Sequence, residues 1–293
     1  MISFHGALQA LYSGILVGGY YALISIGLAF TFGIMKIINL THGEYVLIGG
    51  YLAYWLFRGL SFGPFLSLPL AIAFLFGVGL LVYILLIQKI REAPELNTLI
   101  LTYGIGIFLT NSLLQLWSAD YRLISIPWFE QGVSLWGLKA SIGEMVSFTT
   151  AILLIGFLYW WLIKTYTGKA IRALSEDRDA ASLMGINVKK MDLLAFAIGA
   201  AAAGAAGPLY ATLHYIYPGL GPELTIKAFI ITVLGGVGSI AGIILAGIIL
   251  GVAESFTVTL LSSSYPDLIG FILFILILLF RPSGLMGRTV YRG

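Results

Sequence analysis

Apolar runs, most of them close to 20 residues, recur at 8–34, 37–57, 62–87, 97–117, 145–163, 191–215, 240–261 and 267–280. About 20 apolar residues is the length of helix that crosses the ~30 Å hydrocarbon core of a bilayer. Strands of a membrane barrel would instead alternate over about 10 residues, and these runs are continuous. The pattern predicts an all-α polytopic membrane protein with about eight transmembrane helices. A shorter apolar piece, 226–234, is set off from the run at 240–261 by "GGVGS" and predicts a broken or re-entrant segment. Every connection is shorter than about 30 residues, so residues 1–293 read as a single transmembrane domain. Charged residues make up 10% of the chain, against about 25% in a soluble domain.

The first run is too long for the apolar core of a secretory signal and reads as a retained span. The chain has no cysteine and three scattered histidines. That excludes disulfides and thiolate metal sites, and no metal is expected. The sequence pI of about 9.0 does not point to nucleic acid, because the basic residues lie in connections where they orient a membrane protein. Twelve of the 16 Lys and Arg sit at 36, 89, 91, 164, 169, 172, 178, 189, 190, 281, 288 and 292. Placing these on the cytoplasmic side leaves Arg58, Arg122, Lys139 and Lys227 for the other. The amino terminus is then outside. The tail stays inside only if 226–239 enters the membrane as its own crossing or re-entrant piece, and "LGGVGSIAG" (234–242) suits a backbone that unwinds inside protein.

Within the second run, "NLTHGEY" (39–45) places Asn39, Thr41, His42 and Glu44 together. An ionisable group at the centre of a span costs about 2.5–3.5 kcal/mol on insertion scales and usually faces protein or water. With a helix starting at residue 37, Glu44 would lie roughly 12 Å deep. Asn39 and Gly43 then share a helix face, which His42 and Glu44 cannot join, so the segment is expected to be partly unwound. Three roles follow from the residues: pinning a helix break, lining the route of a polar or zwitterionic solute, or a proton relay through His42 and Glu44. Gly235, Gly236 and Gly238 are the corresponding candidates in the second broken piece. Glu254, His5 and His214 read as interfacial residues near span ends, and "YPGLGPEL" (217–224) as a connector. Small residues at four-residue spacing (195, 199, 203 and 207; 14, 18 and 22; 238, 242 and 246) form ridges that let helices approach closely, here within the chain.

The longest basic connection, "GKAIRALSEDRDAASLMGINVKK" (168–190), predicts a helix over about 168–185 that stops at Gly185. Its acidic residues, Glu176, Asp177 and Asp179, favour docking to a soluble partner over lying on anionic lipid. "DAASLMG" (179–185) resembles the EAA-x3-G coupling signature of ABC importer permeases. Asp179 stands for the Glu, with Ala180, Ala181 and Gly185 in place; the I-x-L-P that follows in that signature is absent. The whole stretch from 168, together with "INLTHGEYVLIGGY" (38–51), "VLGGVGSIAG" (233–242) and "RPSGLMG" (281–287), resembles the branched-chain amino-acid permeases of the LivH type, nearly throughout the chain and in order.

The resemblance implies a permease subunit of an ATP-driven ABC importer in a bacterial or archaeal cytoplasmic (inner) membrane. It implies a second homologous permease, two ATPase subunits that bind ATP and Mg, and an extracytoplasmic solute-binding protein as partners, with leucine, isoleucine and valine as substrates. The coupling residues would be Arg172, Glu176, Asp177, Asp179, Ala180, Ala181 and Gly185. No G-x-x-x-x-G-K-[ST] run occurs, so this chain is not expected to be an ATPase or other enzyme, nor to hold a cofactor. The competing readings are a permease for urea, an amide or a sugar, a secondary transporter with a His42/Glu44 proton site, a channel, and a membrane scaffold.

Overall fold

The first apolar run folds as α1 (Phe4–Met35). It begins where the Ser3 side chain accepts the Gly6 N–H and stops where Lys36 turns left-handed at φ 57°. Its 32 residues span roughly 48 Å. From Tyr20 to Ile34 nearly every residue is buried, whichever way it points, as expected for a helix that is apolar all round and sits in the middle of a bundle. The computed structural model describes residues 3–91, 93–262 and 265–287. The helices that follow are α2 (His42–Leu60), α3 (Pro64–Leu85), α4 (Glu95–Trp117), α5 (Ile142–Lys164), α6 (Tyr166–Glu176), α7 (Arg178–Leu183), α8 (Val188–Leu213), α9 (Gly221–Gly235), α10 (Ile240–Leu260) and α11 (Pro266–Phe280).

Among the described residues six helices are long and apolar enough to cross a membrane: α1, α3 with the turn that extends it to Ile90, α4, α5, α8 and α10. The expected eight full spans are not reached on that measure. α11, with 15 residues, is apolar but shorter, and the run 37–57 is not one helix. Residues 36–41 are non-helical and α2 starts only at His42. Among the described residues the fold is all-α apart from one hairpin, β1 (Gly132–Leu135) and β2 (Leu138–Ser141), antiparallel with Gly132 opposite Ser141, and a single bridge between Arg122 and Ile216. Trp136 and Gly137 at its turn both have positive φ, 51° and 85°, the geometry of a tight two-residue connection.

Lipid-like surroundings give apolar burial no role in helix association, so close approach must supply it. α1 and α10 meet along Gly14, Gly18, Gly247 and Gly251; a Cβ on Gly18 would lie 2.9 Å from the Ile248 nitrogen. A Cβ on Gly204 would lie 2.7 Å from the Leu75 Cβ of α3, and Gly207 abuts the backbone of α2 at Gly50. The ridges on α1 and α8 therefore pack within the chain, with α1, α2 and α8 inside; Gly238 is not part of the third, because it lies in the turn before α10 and a Cβ there would meet nothing within 4 Å. The outer faces of α3, α4, α5 and α11 expose large apolar side chains such as Phe74, Phe108, Phe157 and Leu279.

One end of the bundle holds the hairpin. There the Gln9 amide donates through Nε2 to the Lys139 carbonyl at 2.7 Å and accepts the Lys139 N–H through Oε1 at 2.8 Å. The other end holds α6, α7 and the start of α8, and most of the basic residues. Arg288 and Arg292 lie outside the described residues. At this basic end the Leu285 and Met286 N–H groups donate to the Leu234 and Gly235 carbonyls, at 2.8 and 3.1 Å. Counting the two broken elements, 36–41 with α2 and 214–220 with α9, the described chain passes between the ends nine times. That odd number puts the start of α1 at the hairpin end and residues 281–287 at the basic end.

Candidate functional site

Two helices begin inside the bundle, and they begin against each other. His42, the first residue of α2, places Nε2 2.6 Å from the Ile24 carbonyl oxygen. Ile24 lies eleven residues before the end of α1, roughly 16 Å from the basic end. The chain therefore re-enters without helix along 36–41, closing in a turn at Leu40 and Thr41 before it coils. The turn is held locally. Asn39 Oδ1 accepts both the Thr41 N–H, at 3.1 Å, and the Thr41 hydroxyl. Leu40 N–H donates to Thr102 Oγ1 of α4 at 3.2 Å. Asn39, Thr41, His42 and Glu44 are all buried.

The opposing helix is α9. The Gly43 N–H donates to Thr225 Oγ1 at 2.8 Å, and Thr225 also bonds the Gly221 carbonyl at 3.1 Å. Gly43 has no room for a side chain, because a Cβ there would press on the Gly221 carbonyl, with its carbon 2.7 Å away. The segment 217–224 is thus more than a connector: Pro218, Leu220 and Gly221 are buried, and the stretch carries the chain inward to the start of α9. Each helix start carries about half a positive charge from its aligned peptides. Glu44, in the first turn of α2, sits where the two fields add, and this favours an acidic group at that depth. Its Oε1 accepts from Thr110 of α4 at 3.2 Å. Its Oε2 has no hydrogen-bond partner among the described residues, although the residue is 2% exposed. One carboxylate oxygen is therefore buried without a hydrogen-bond partner at the junction of α2, α4 and α9.

Gly235, Gly236 and Gly238 are not brought to this junction. They form the opposite end of α9, where Gly236 and Gly238 take φ of 92° and 84° and residues 281–287 cover the turn. They allow the sharp reversal from α9 to α10; Gly235 packs on Gly242.

At the basic end the expected single helix over 168–185 is two helices. Asp177 is extended, with φ −151° and ψ 114°, and its Oδ1 accepts the Asp179 and Ala180 N–H groups, both at 2.9 Å. An aspartate that caps a new helix this well ends the one before it. Ala170, Ile171, Leu174 and Ala181 turn onto the bundle, while Arg172, Glu176, Asp179 and Ala180 face outward. Gly185 has φ 81°, the left-handed stop its position predicts. Leu183 and Met184 beside it are 88% and 83% exposed.

The residue that fastens this unit is Arg178. Its Nη1 lies 3.1 Å from Asp192 Oδ1, its Nη2 bonds Oδ2 of the same carboxylate, and Nη1 also reaches the Ile34 carbonyl at 3.4 Å. Arg91 donates to Asp192 Oδ2 at 3.1 Å and to the Met35 carbonyl at 3.0 Å. One buried aspartate thus joins α7, α8 and the turn after α3, and both guanidinium groups satisfy the last carbonyls of α1, where positive charge is favoured. The available signal was Asp192 itself, a charged residue just inside an apolar run.

Glu254 is not interfacial. It is buried, accepts the Tyr21 hydroxyl at 2.6 Å, and pairs with Lys227 at 3.2 Å; Lys227 also meets Asp267 at 3.3 Å. This cluster ties α9 to α1, α10 and α11. His214, at the end of α8, stays exposed, as expected of a residue near a span end, and its Nε2 lies 2.6 Å from the Tyr20 hydroxyl. Lys227→Met is expected to destabilise the detergent-solubilised chain by about 3–5 kcal/mol, because Glu254 is left as an uncompensated buried charge. Lys227→Met combined with Glu254→Gln should recover most of that loss in the same thermal unfolding assay. Wild-type unfolding of the single variant would remove the cluster from the account. Among the described residues no group of three or more His, Cys, Asp or Glu side chains could hold a metal ion.

A ring of helices with apolar outer faces around a buried core, two buried helix starts and a clamped pair of short helices at the basic end define a multi-pass α-helical membrane protein. The chain belongs to the family described as the permease component of branched-chain amino acid transport systems, whose profile matches residues 10–280. It is 36% identical over 296 residues to the high-affinity branched-chain amino acid transport system permease protein BraD of Pseudomonas aeruginosa, covering 96% of each chain. It is 34% identical over 300 residues to the permease LivH of Escherichia coli K12, again covering 96% of each. To LivM, named as a permease of a high-affinity branched-chain amino acid system in the same organism, it is 27% identical, covering 92% of this chain and 68% of that one. No solved structure matches.

Proposed function

We propose that this chain is the transmembrane permease subunit of an ATP-driven importer for leucine, isoleucine and valine in a cytoplasmic membrane. The observation that carries the reading is the family match over residues 10–280. The likeness to both LivH and LivM supports pairing with a second, related permease. Two ATPase subunits that hold ATP and Mg, and an extracytoplasmic solute-binding protein, complete the assembly.

Its geometry supports a division of labour. The α6–α7 unit is the lever: Leu183 and Met184 offer an exposed apolar tip, flanked by Asp179 and Gly185, for an ATPase groove. Arg178 passes the movement to α1 and α8. The junction of α2 and α9, with Asn39, Thr41, His42, Gly43 and Glu44, lines the solute route, and its two helix starts are the elements that part. The free oxygen of Glu44 is placed to receive the ammonium group of an amino acid.

Reconstituting the chain with its partners in liposomes tests this. Leucine, isoleucine and valine should enter only with ATP, and each should stimulate ATP hydrolysis when delivered by the binding protein. Uptake by this chain alone, driven by a pH gradient, would make it a secondary transporter. Stimulation by a sugar or urea and not by these amino acids would reject the substrate.

A further inference from the structure

A cleft of about 820 Å³ opens at the basic end between α1, α5, α6 and the start of α10. Its depth is lined by Ile26, Phe30, Ile34, Leu162, Ile163 and Ile243, and its mouth by Lys36, Lys169 and Arg172 with one acid, Glu176. None of the three cations makes an ion pair among the described residues. Along α1 the apolar wall runs from Ile26 to Ile34 and ends at Lys36, ten residues or roughly 15 Å. That is about half of the ~30 Å hydrocarbon core, one leaflet.

We propose that this cleft is a binding site for one anionic phospholipid of the leaflet at the basic end, its phosphate at Lys36, Lys169 and Arg172 and an acyl chain along the wall to the level of Ile26. Two features select this occupant. A free anion would leave the apolar depth unfilled, and a neutral apolar ligand would leave the mouth, three cations against the one acid Glu176, with a net positive charge. An amphiphile with a negative head satisfies both, and basic pockets between membrane helices suit such headgroups. The site shares α6 with the lever: Lys169, Arg172 and Glu176 of α6 line the cleft, whereas Asp177 and Asp179, at and after the break that starts α7, do not. A lipid seated there would brace α6 against α1 and α10.

The full-length chain, purified in detergent and incubated with equimolar phosphatidylglycerol and phosphatidylcholine, provides the test by native mass spectrometry. The wild type should retain one phosphatidylglycerol with a preference of about tenfold. Lys36→Gln/Lys169→Gln/Arg172→Gln should abolish the preference. Lys164→Gln/Lys189→Gln/Lys190→Gln, which removes the same charge outside the cleft, should keep it. Ile163→Trp, which fills the apolar wall and leaves the charges, should lower retention at least tenfold. Equal losses in the two charge variants would mean diffuse surface attraction and overturn the proposal. Full retention by Ile163→Trp would mean that only a headgroup binds and would overturn the acyl-chain site. A lipid-free dimer that the cleft variant dissociates would assign the cleft to a second copy of the chain and overturn it as well.

Discussion

Arg178→Ala is expected to lower solute-stimulated ATP hydrolysis and uptake of the reconstituted importer more than tenfold, while the chain still inserts and assembles. The clamp it removes is the polar tie from α7 to the bundle: a two-pronged contact with Asp192 and a bond to the Ile34 carbonyl. Asp192 would keep Arg91, so its buried charge is not abandoned and the fold survives. Force applied at Leu183 and Met184 would then move α7 without moving α8 or α1. Arg178→Lys sharpens the point, since it keeps the charge but loses the planar fork that grips both carboxylate oxygens; it should couple poorly too. Asp192→Asn is a different lesion. It leaves two guanidinium groups facing a neutral amide, and removing one partner of a buried ion pair costs about 3–5 kcal/mol. It should therefore reduce the amount of folded protein as well as coupling. Normal ATPase stimulation in Arg178→Ala would show that force enters the bundle elsewhere.

Composition and run length suffice to predict a polytopic helical bundle, because the bilayer sets element length directly. The run at 8–34 marks α1 to within a few residues, and the glycine ridges mark which helices approach closely. What escapes a linear reading is set by partners far away in the chain. Hydropathy treats 37–57 as continuous, yet the chain stays non-helical to Thr41 because Leu40 bonds Thr102 and Gly43 bonds Thr225. Lys227 and Glu254 lie on different helices, so neither identifies itself as half of an ion pair. The hairpin at 132–141 depends on Trp136 adopting positive φ, a conformation its identity does not announce. The four polar residues at 39–44 do identify themselves as a special segment. That a second helix start completes their surroundings follows only from the fold.

Gly43→Ala is expected to reduce stability by about 1–3 kcal/mol, the usual cost of overpacking, and uptake at least tenfold. The added methyl would meet the Gly221 carbonyl, whose carbon would lie 2.7 Å away. These are backbone atoms at the start of a helix and cannot swing aside as a side chain can. The two helix starts must separate, which stretches the 2.8 Å bond from the Gly43 N–H to Thr225 and carries Glu44 away from the point where the two dipoles add. Gly104→Ala and Gly59→Ala serve as controls within the same bundle, since nothing lies within 4 Å of a Cβ at either position and helix propensity alone would favour alanine there. Thermal unfolding of the detergent-solubilised variants and uptake by the reconstituted importer read the two effects separately. A loss of stability with uptake retained would make the junction a packing feature only, pinning the break in the second traverse. A loss of uptake in Gly43→Ala exceeding what its folded fraction explains would put the meeting of α2 and α9 on the route that the solute takes.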